Sequence, residues 1–307
     1  MNKRIALLAY PKSLQSAIYG LDEMFVMANL VCDEQALDYT FLCDKLTCSD
    51  LQTKSESYFD VVIIPPSHDG DFYLHPSKDV INWLNRQHAN GAIIASACAG
   101  TFILAASQLL TGKRATTHWG LANSFKAMYP DIELTIDKIL VNDIDIITAG
   151  GMMSWLDLGL EIIAQSSQIS VMRQLGKRLV VDTGAREQSF YQQFTPILNH
   201  GDQLILTVQQ SLQTNFHQSI SISDLAKNNH ISERTFLRRF TKATHLKPSH
   251  YLQKLRIQRA CELLESSQHS FEYIAYQVGY EDVSACRKTF SRIMGLTPSA
   301  FRQRFVR

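Results

Sequence analysis

Hydrophobic residues in the first half of the chain fall in short, unbroken runs. Arg4–Ala9, Val61–Ile64 and Ala92–Ala95 read as strands buried on both faces. Val61–Ile64 stops at Pro65–Pro66, as a buried parallel strand often stops at a loop. Tyr39–Cys43 adds a further strand, and Ile132–Ile136, Ile139–Val141 and Ile144–Thr148 three short ones. Between them the spacing turns helical: Ser16–Val31, Asp79–Gln87 (Val80, Ile81, Leu84), Ser154–Gln168 (Leu156, Leu160, Ile163, Ala164) and Ser170–Val181. This alternation predicts a parallel sheet with helices on both faces. Thr183–Gly184, Pro196 and Asn199–Gly201 then break the pattern. The expected organisation is an α/β domain over 1–183, a linker over 184–201 and an all-α domain over 202–307.

The last hundred residues repeat themselves. Leu225–Ala226 returns as Ile274–Ala275, 49 residues on, and after one inserted residue the offset becomes 50: Ser232/Asp282, Phe240/Phe290, Leu246/Leu296, Pro248/Pro298 and Ser249/Ser299. A sustained offset marks a duplicated structural unit, and two copies are too few for a solenoid. Each copy has a short apolar helix, a turn, an N-capping residue (Ser232, Asp282) and a second helix, which describes a helix-turn-helix. Pro248 starts a helix between them whose length sets their separation, so that each can enter a successive major groove about 34 Å apart. In the first copy Arg234, Arg238 and Lys242 recur on the face away from Ile231, Phe236 and Phe240. A basic, non-core face is what a major-groove helix needs.

Charge sharpens that picture. The net charge of +1 hides 15 basic against 21 acidic residues over 1–200, and 15 against 8 over 201–307. A basic module joined to an acidic one is the electrostatic outline of a DNA binder attached to something else. Six cysteines (32, 43, 48, 98, 261 and 286) form no Cys-x-x-Cys pair and no zinc-finger spacing, so no metal or cofactor is expected and free thiols fit a reducing cytoplasm. No apolar run approaches a membrane span, and the apolar run at the N-terminus is too short for a signal peptide.

One segment carries candidate chemistry. In Ala95–Ser–Ala–Cys98–Ala–Gly100 a strand turns sharply into a helix with Cys98 at the turn, the form of a nucleophile elbow, with Ser96 in place of the usual first glycine. A helix N-terminus there would favour thiolate. His118, in Thr116–Thr–His–Trp119, is the candidate partner, and Ala149–Gly–Gly151 leads into the long helix at Ser154. Elbow turns at the carboxyl ends of parallel strands make clefts suited to small ligands. Cys98, His118 and Gly151 are the candidate lining residues, with Trp119 and Trp155 as either cleft wall or core.

Ile274, Ala275, Gly279, Tyr280, Phe290, Arg292, Gly295, Thr297, Pro298, Phe301 and Arg302 together resemble the signature of the AraC/XylS family of transcriptional regulators. The resemblance implies double-stranded promoter DNA and RNA polymerase as partners. It places base-facing positions at Arg234, Leu237 and Arg238 in the first motif and Val283, Ser284 and Lys288 in the second, and leaves Arg287, Arg292, Arg302 and Arg304 for phosphates or solvent. The first copy, with two arginines, is expected to read bases more directly than the second. The cysteine elbow, the Thr-Thr-His segment and the Gly-rich turn resemble, in that order, the PfpI branch of the glutamine-amidotransferase-like superfamily, which implies a flavodoxin-like domain. Thr-Thr-His-Trp ahead of an AraC-type domain resembles GlxA-type regulators. That implies a homodimeric, cytoplasmic regulator with a nitrogenous or amino-acid-derived effector. Two departures argue against turnover: the position of the PfpI carboxylate falls near Ser16, and Ala99 stands where the peptidases have histidine. The expectation is therefore a regulator with no catalytic residues, Cys98 and His118 being vestigial. The alternative is a cysteine-dependent amidase- or lyase-like enzyme fused to a DNA-binding domain.

Overall fold

The apolar runs become strands because side chains on both of their faces are covered. In β1 (Asn2–Ala9), Ile5 and Leu7 enter one core while Ala6 and Leu8 enter another on the opposite face. The computed structural model describes residues 1–53, 57–184 and 186–306. It divides into two units, Met1–Gln188 and Ser189–Arg307.

After β1 the first unit runs α1 (Gln15–Glu34), β2 (Thr40–Thr47), α2 (Asp50–Thr53), β3 (Val61–Ile64), α3 (Gly70–Leu74), α4 (Lys78–Ala89) and β4 (Ile93–Ala97). It continues with α5 (Gly100–Ala106), β5 (Arg114–Ala115), α6 (Ala122–Met128), β6 (Glu133–Leu134), β7 (Leu140–Asp143), β8 (Ile146–Ala149), α7 (Trp155–Ser166) and α8 (Ile169–Leu179). The main sheet has the order β2-β1-β3-β4-β8-β7. Its first five strands are parallel, as the alternation predicts. β7 departs from that expectation and runs antiparallel to β8, with Asp143 opposite Ile146. The connection is too short for a crossover, so the chain can only return as a hairpin. Ile144 takes φ 67° there, and its amide donates to Asn142 Oδ1 at 3.0 Å. α1, α7 and α8 pack on one face, and α4 and α5 on the other. Arg186 and Gln188 lie inside the segment expected to link the domains yet are held within this unit: the Arg186 guanidinium donates to both Asp157 oxygens at 2.8 and 2.7 Å, and Gln188 is buried. Ala185 of that segment and the terminal Arg307 lie outside the described residues.

The second unit contains α9 (Gln203–Asn215), α10 (Ile222–Asn228), α11 (Glu233–Thr244), α12 (Pro248–Ser266), α13 (Phe271–Gln277), α14 (Val283–Met294) and α15 (Pro298–Phe305). α12 serves two cores. Tyr251, Leu252 and Leu255 join Phe236 and Phe240 in the first, and Ile257, Ala260 and Leu264 join Phe271, Ile274, Phe290 and Phe301 in the second. The repeat is visible in the backbone. His230 and Gly279 turn the chain at φ 57° and 87°, and His245 and Gly295 end the second helices at φ 56° and 69°. The capping hydroxyl of Ser232 accepts from the Thr235 amide, and the Asp282 carboxylate from that of Ser284.

Gly100 fixes how closely α5 approaches β3. A Cβ there would lie 2.7 Å from the Ile64 carbonyl oxygen and 2.8 Å from that of Pro65, both backbone atoms that cannot swing aside. Gly100→Ala is therefore expected to destabilise the N-terminal unit by about 1–3 kcal/mol, an overpacking cost, read as a lowered midpoint in denaturant unfolding of the full chain.

Candidate functional site

Cys98 joins β4 to α5 at φ 55°, inside the left-handed region that costs a non-glycine residue about 1–2 kcal/mol. Its surroundings hold it there. The Cys98 amide donates to the Ala149 carbonyl at the end of β8 at 2.7 Å, and the Thr117 hydroxyl donates to the Cys98 carbonyl at 2.6 Å. Around them lies a buried polar network. The Thr101 hydroxyl donates to the Thr116 carbonyl at 3.1 Å, the Thr116 amide donates to Thr148 Oγ1 at 2.9 Å, and Ser96 Oγ lies 3.0 Å from Thr101 Oγ1. Because Thr101 has committed its one proton, Ser96 is the donor in that pair. This gives the departure from the elbow's usual glycine a purpose. Ser96, Thr101, Thr116, Thr117 and Thr148 are all fully buried, and each hydroxyl has a partner.

The thiol is shut in. Cys98 is 2% exposed, and burial pushes its pKa up to about 12, countered only by the Ala99 amide. Desolvation outweighs the helix-terminus effect expected from the sequence, so the group is a neutral thiol at physiological pH. Tyr10 and Tyr73 stand beside it, both phenols raised by burial first and by the neighbouring Cys98 second. The Tyr10 hydroxyl donates to the Pro65 carbonyl at 2.7 Å.

The expected partner makes other contacts. His118 Nδ1 accepts from the Gly120 amide at 3.0 Å, and its ring tilts against Trp119 with centroids 5.1 Å apart. No hydrogen bond joins it to Cys98. It is the preceding residue, Thr117, that reaches the elbow, and through its hydroxyl. Half-burial lowers the His118 pKa, which favours neutral imidazole. Gly151 takes φ 101°, and its carbonyl accepts from the Ser154 hydroxyl at 2.7 Å. Cys98, His118 and Gly151 thus lie on three segments that meet at the elbow through their neighbours Thr117 and Ala149, not through their own side chains. Trp155 belongs to the core, where its ring lies over Gly20, whereas Trp119 is half-buried. Ser16, at the position expected for the PfpI carboxylate, is exposed on α1. Sequence reasoning missed Tyr10, Tyr73 and the buried Ser13, whose hydroxyl has no partner. No local pattern marks them.

In the second unit the candidate DNA face stands clear of the protein. Arg234, Leu237 and Arg238 on α11 and Ser284 and Lys288 on α14 are exposed. Val283 packs partly against the second core. Among the described residues, Arg234, Arg238, Lys242 and Lys288 have no ion-pair or side-chain hydrogen-bond partner. The arginines left over by the sequence reading are occupied instead. Arg287 pairs with Glu272 at 3.2 Å, Arg292 donates to Gln253 at 2.8 Å, Arg302 donates to the His269 carbonyl at 2.7 Å, and Arg304 donates to Tyr191 at 3.2 Å. Arg239 points inward as well. It donates twice to Asp202, the N-cap of α9, at 2.9 and 2.6 Å and holds that carboxyl below its usual range.

An α/β domain with a cysteine elbow, followed by a tandem helix-turn-helix unit, defines a class of two-part proteins. Residues 28–165 match the DJ-1/PfpI family and residues 225–304 a helix-turn-helix domain. The two matches place a DJ-1/PfpI-like segment ahead of an AraC-type helix-turn-helix segment in one chain. It is 24% identical over 222 residues to the HTH-type transcriptional regulator CdhR of Pseudomonas aeruginosa, an alignment covering 72% of this chain and 66% of that protein. It is 34% identical over 111 residues to the HTH-type transcriptional activator RhaR of Yersinia pseudotuberculosis, covering 36% and 38% of the two chains. The chain thus spans about two thirds or less of the length of these relatives. A solved Vibrio parahaemolyticus protein described as a transcriptional regulator aligns over 59% of this chain and all of its own, at 21% identity and a TM-score of 0.51, which shows the shared fold.

A thiol ionising only near 12 should alkylate slowly. With iodoacetamide followed by peptide mass spectrometry, Cys98 in the folded chain is expected to react about a hundredfold or more slower than a free thiol near neutral pH. Its rate should keep rising past about pH 10, where an ordinary thiol has levelled off.

Proposed function

We propose that this protein is a sequence-specific DNA-binding transcription regulator whose N-terminal domain senses a small metabolite at the Cys98 elbow without turning it over. The observation that carries the reading is the pair of N-capped helices α11 and α14, which present Arg234, Arg238 and Lys288 with no ion-pair or side-chain hydrogen-bond partner among the described residues. Arg234 and Arg238 are suited to bidentate contacts with guanine, Leu237 and Val283 to thymine methyl groups, and Ser284 and Lys288 to base edges or phosphates. The engaged arginines brace the helices that carry these readers.

In this reading Cys98, His118 and Gly151 line the effector site, and the effector is nitrogenous or amino-acid-derived, as the GlxA-type resemblance implies. The effector must favour one arrangement of the elbow over another to shift DNA binding or contact with RNA polymerase. The regulator acts in the cytoplasm as a homodimer. Among the described residues, no helix is long and apolar enough to cross a membrane, and no cluster of side chains could hold a metal ion. The alternative of a cysteine-dependent amidase or lyase needs a nucleophile and a base. A buried thiol with a raised pKa, not hydrogen-bonded to His118, weighs against it.

Two experiments test the reading. Arg238→Ala should weaken binding to a duplex selected from random sequence by about 1–3 kcal/mol and relax base preference at one position, with thermal stability unchanged. Unaltered affinity and preference would remove Arg238 as a reader. A thermal-shift screen of the full chain against small nitrogenous metabolites should find a compound that raises the N-terminal transition, and that effect should shrink in Cys98→Leu.

A further inference from the structure

The last residue of the N-terminal unit is plugged into the support of the elbow. Gln188 is 2% exposed. Its side-chain nitrogen lies 3.1 Å from Thr116 Oγ1 and 2.9, 3.2 and 3.1 Å from the carbonyl oxygens of Thr117, Ile136 and Lys138. Its side-chain oxygen accepts from the Trp119 amide at 3.1 Å, and its own backbone amide donates to the Asp137 carbonyl at 2.8 Å. Gly150 leaves the room: a Cβ there would lie 1.9 Å from the Gln188 side-chain nitrogen, Nε2. A carboxamide nitrogen has two protons, so four oxygens share them, and a group without those protons would face acceptors alone. The same Thr116–Trp119 segment sends the Thr117 hydroxyl to the Cys98 carbonyl. Two covalently continuous residues therefore bind the elbow on one side and Gln188 on the other.

We propose that Gln188 is a positioning residue that latches the end of the N-terminal unit to the segment holding the Cys98 elbow, so that opening of the elbow and release of Gln188 are one event. The role assigned to that event rests on the reading of the elbow as a sensor, whereas the latch itself rests on the network alone. Because the next residue, Ser189, begins the DNA-binding unit, this is the point at which a change at the elbow would enter the connecting chain.

The test uses the full chain and reads Cys98 carbamidomethylation by peptide mass spectrometry, with Cys261 and Cys286, buried in the other unit, as internal standards. Gln188→Met keeps length and loses the hydrogen bonds. It should speed Cys98 labelling at least tenfold and leave Cys261 and Cys286 unchanged. Gln188→Glu, which sets a carboxylate against the acceptors, should speed it further. Cys98 labelling within twofold of wild type in Gln188→Met would overturn the latch. If the variants do not fold, hydrogen exchange of the wild-type chain decides. The amides of Thr116, Trp119 and Gln188 should exchange at one rate, and a hundredfold spread among them would overturn the proposal. Neither arm reads DNA affinity, so the regulator reading and the latch can fail separately.

Discussion

At Cys98 the backbone leaves β4 through a left-handed conformation, and at His230, Gly279, His245 and Gly295 it does the same between or after helices. Each of these turns costs conformational energy in a non-glycine residue and leaves amides and carbonyls outside any regular ladder. The surrounding structure exists in large part to satisfy them. In the N-terminal unit that work falls to buried threonines. In the C-terminal unit it falls to caps repeated at an offset of 49 or 50 residues.

The consequences for function follow from where polar groups are satisfied. Around Cys98 every buried hydroxyl of the threonine network has a partner, which fixes the elbow, and burial keeps the thiol neutral beside Tyr10 and Tyr73. A nucleophile needs the opposite: an exposed thiolate with a base in reach. The C-terminal unit shows the reverse arrangement at its surface. Its bracing arginines are paired to carbonyls, carboxylates and side-chain oxygens, while Arg234, Arg238, Lys242 and Lys288 on α11 and α14 have no such partner among the described residues.

Much of this was legible in the sequence because it is local. The buried runs, the capping residues Ser232 and Asp282 and the small residues around Cys98 all lie within a few residues of the structure they specify, and the repeat is legible because each copy carries its own local pattern. What escaped is non-local. Nothing near His230 or His245 announces positive φ, since a histidine there occupies what glycine fills in the second copy. Tyr10 and Tyr73 close the elbow from distant parts of the chain. Gln188 sits in a stretch whose pattern had faded into a linker, and its four acceptors come from segments 50 to 72 residues away. The partners of Arg287, Arg292, Arg302 and Arg304 were hidden for the same reason: composition shows charge, and only the fold shows which groups accept from it.

The central claim is that two copies of one helix-turn-helix, spaced by α12, read DNA together. Hydroxyl-radical footprinting of the full chain on a duplex selected from random sequence tests it most directly. The account predicts two protected tracts on one face of the helix, about 10–10.5 base pairs apart, with the stricter sequence requirement under the tract assigned to α11. A single protected tract of one half-site, unchanged when Lys288 and Ser284 are replaced, would contradict it.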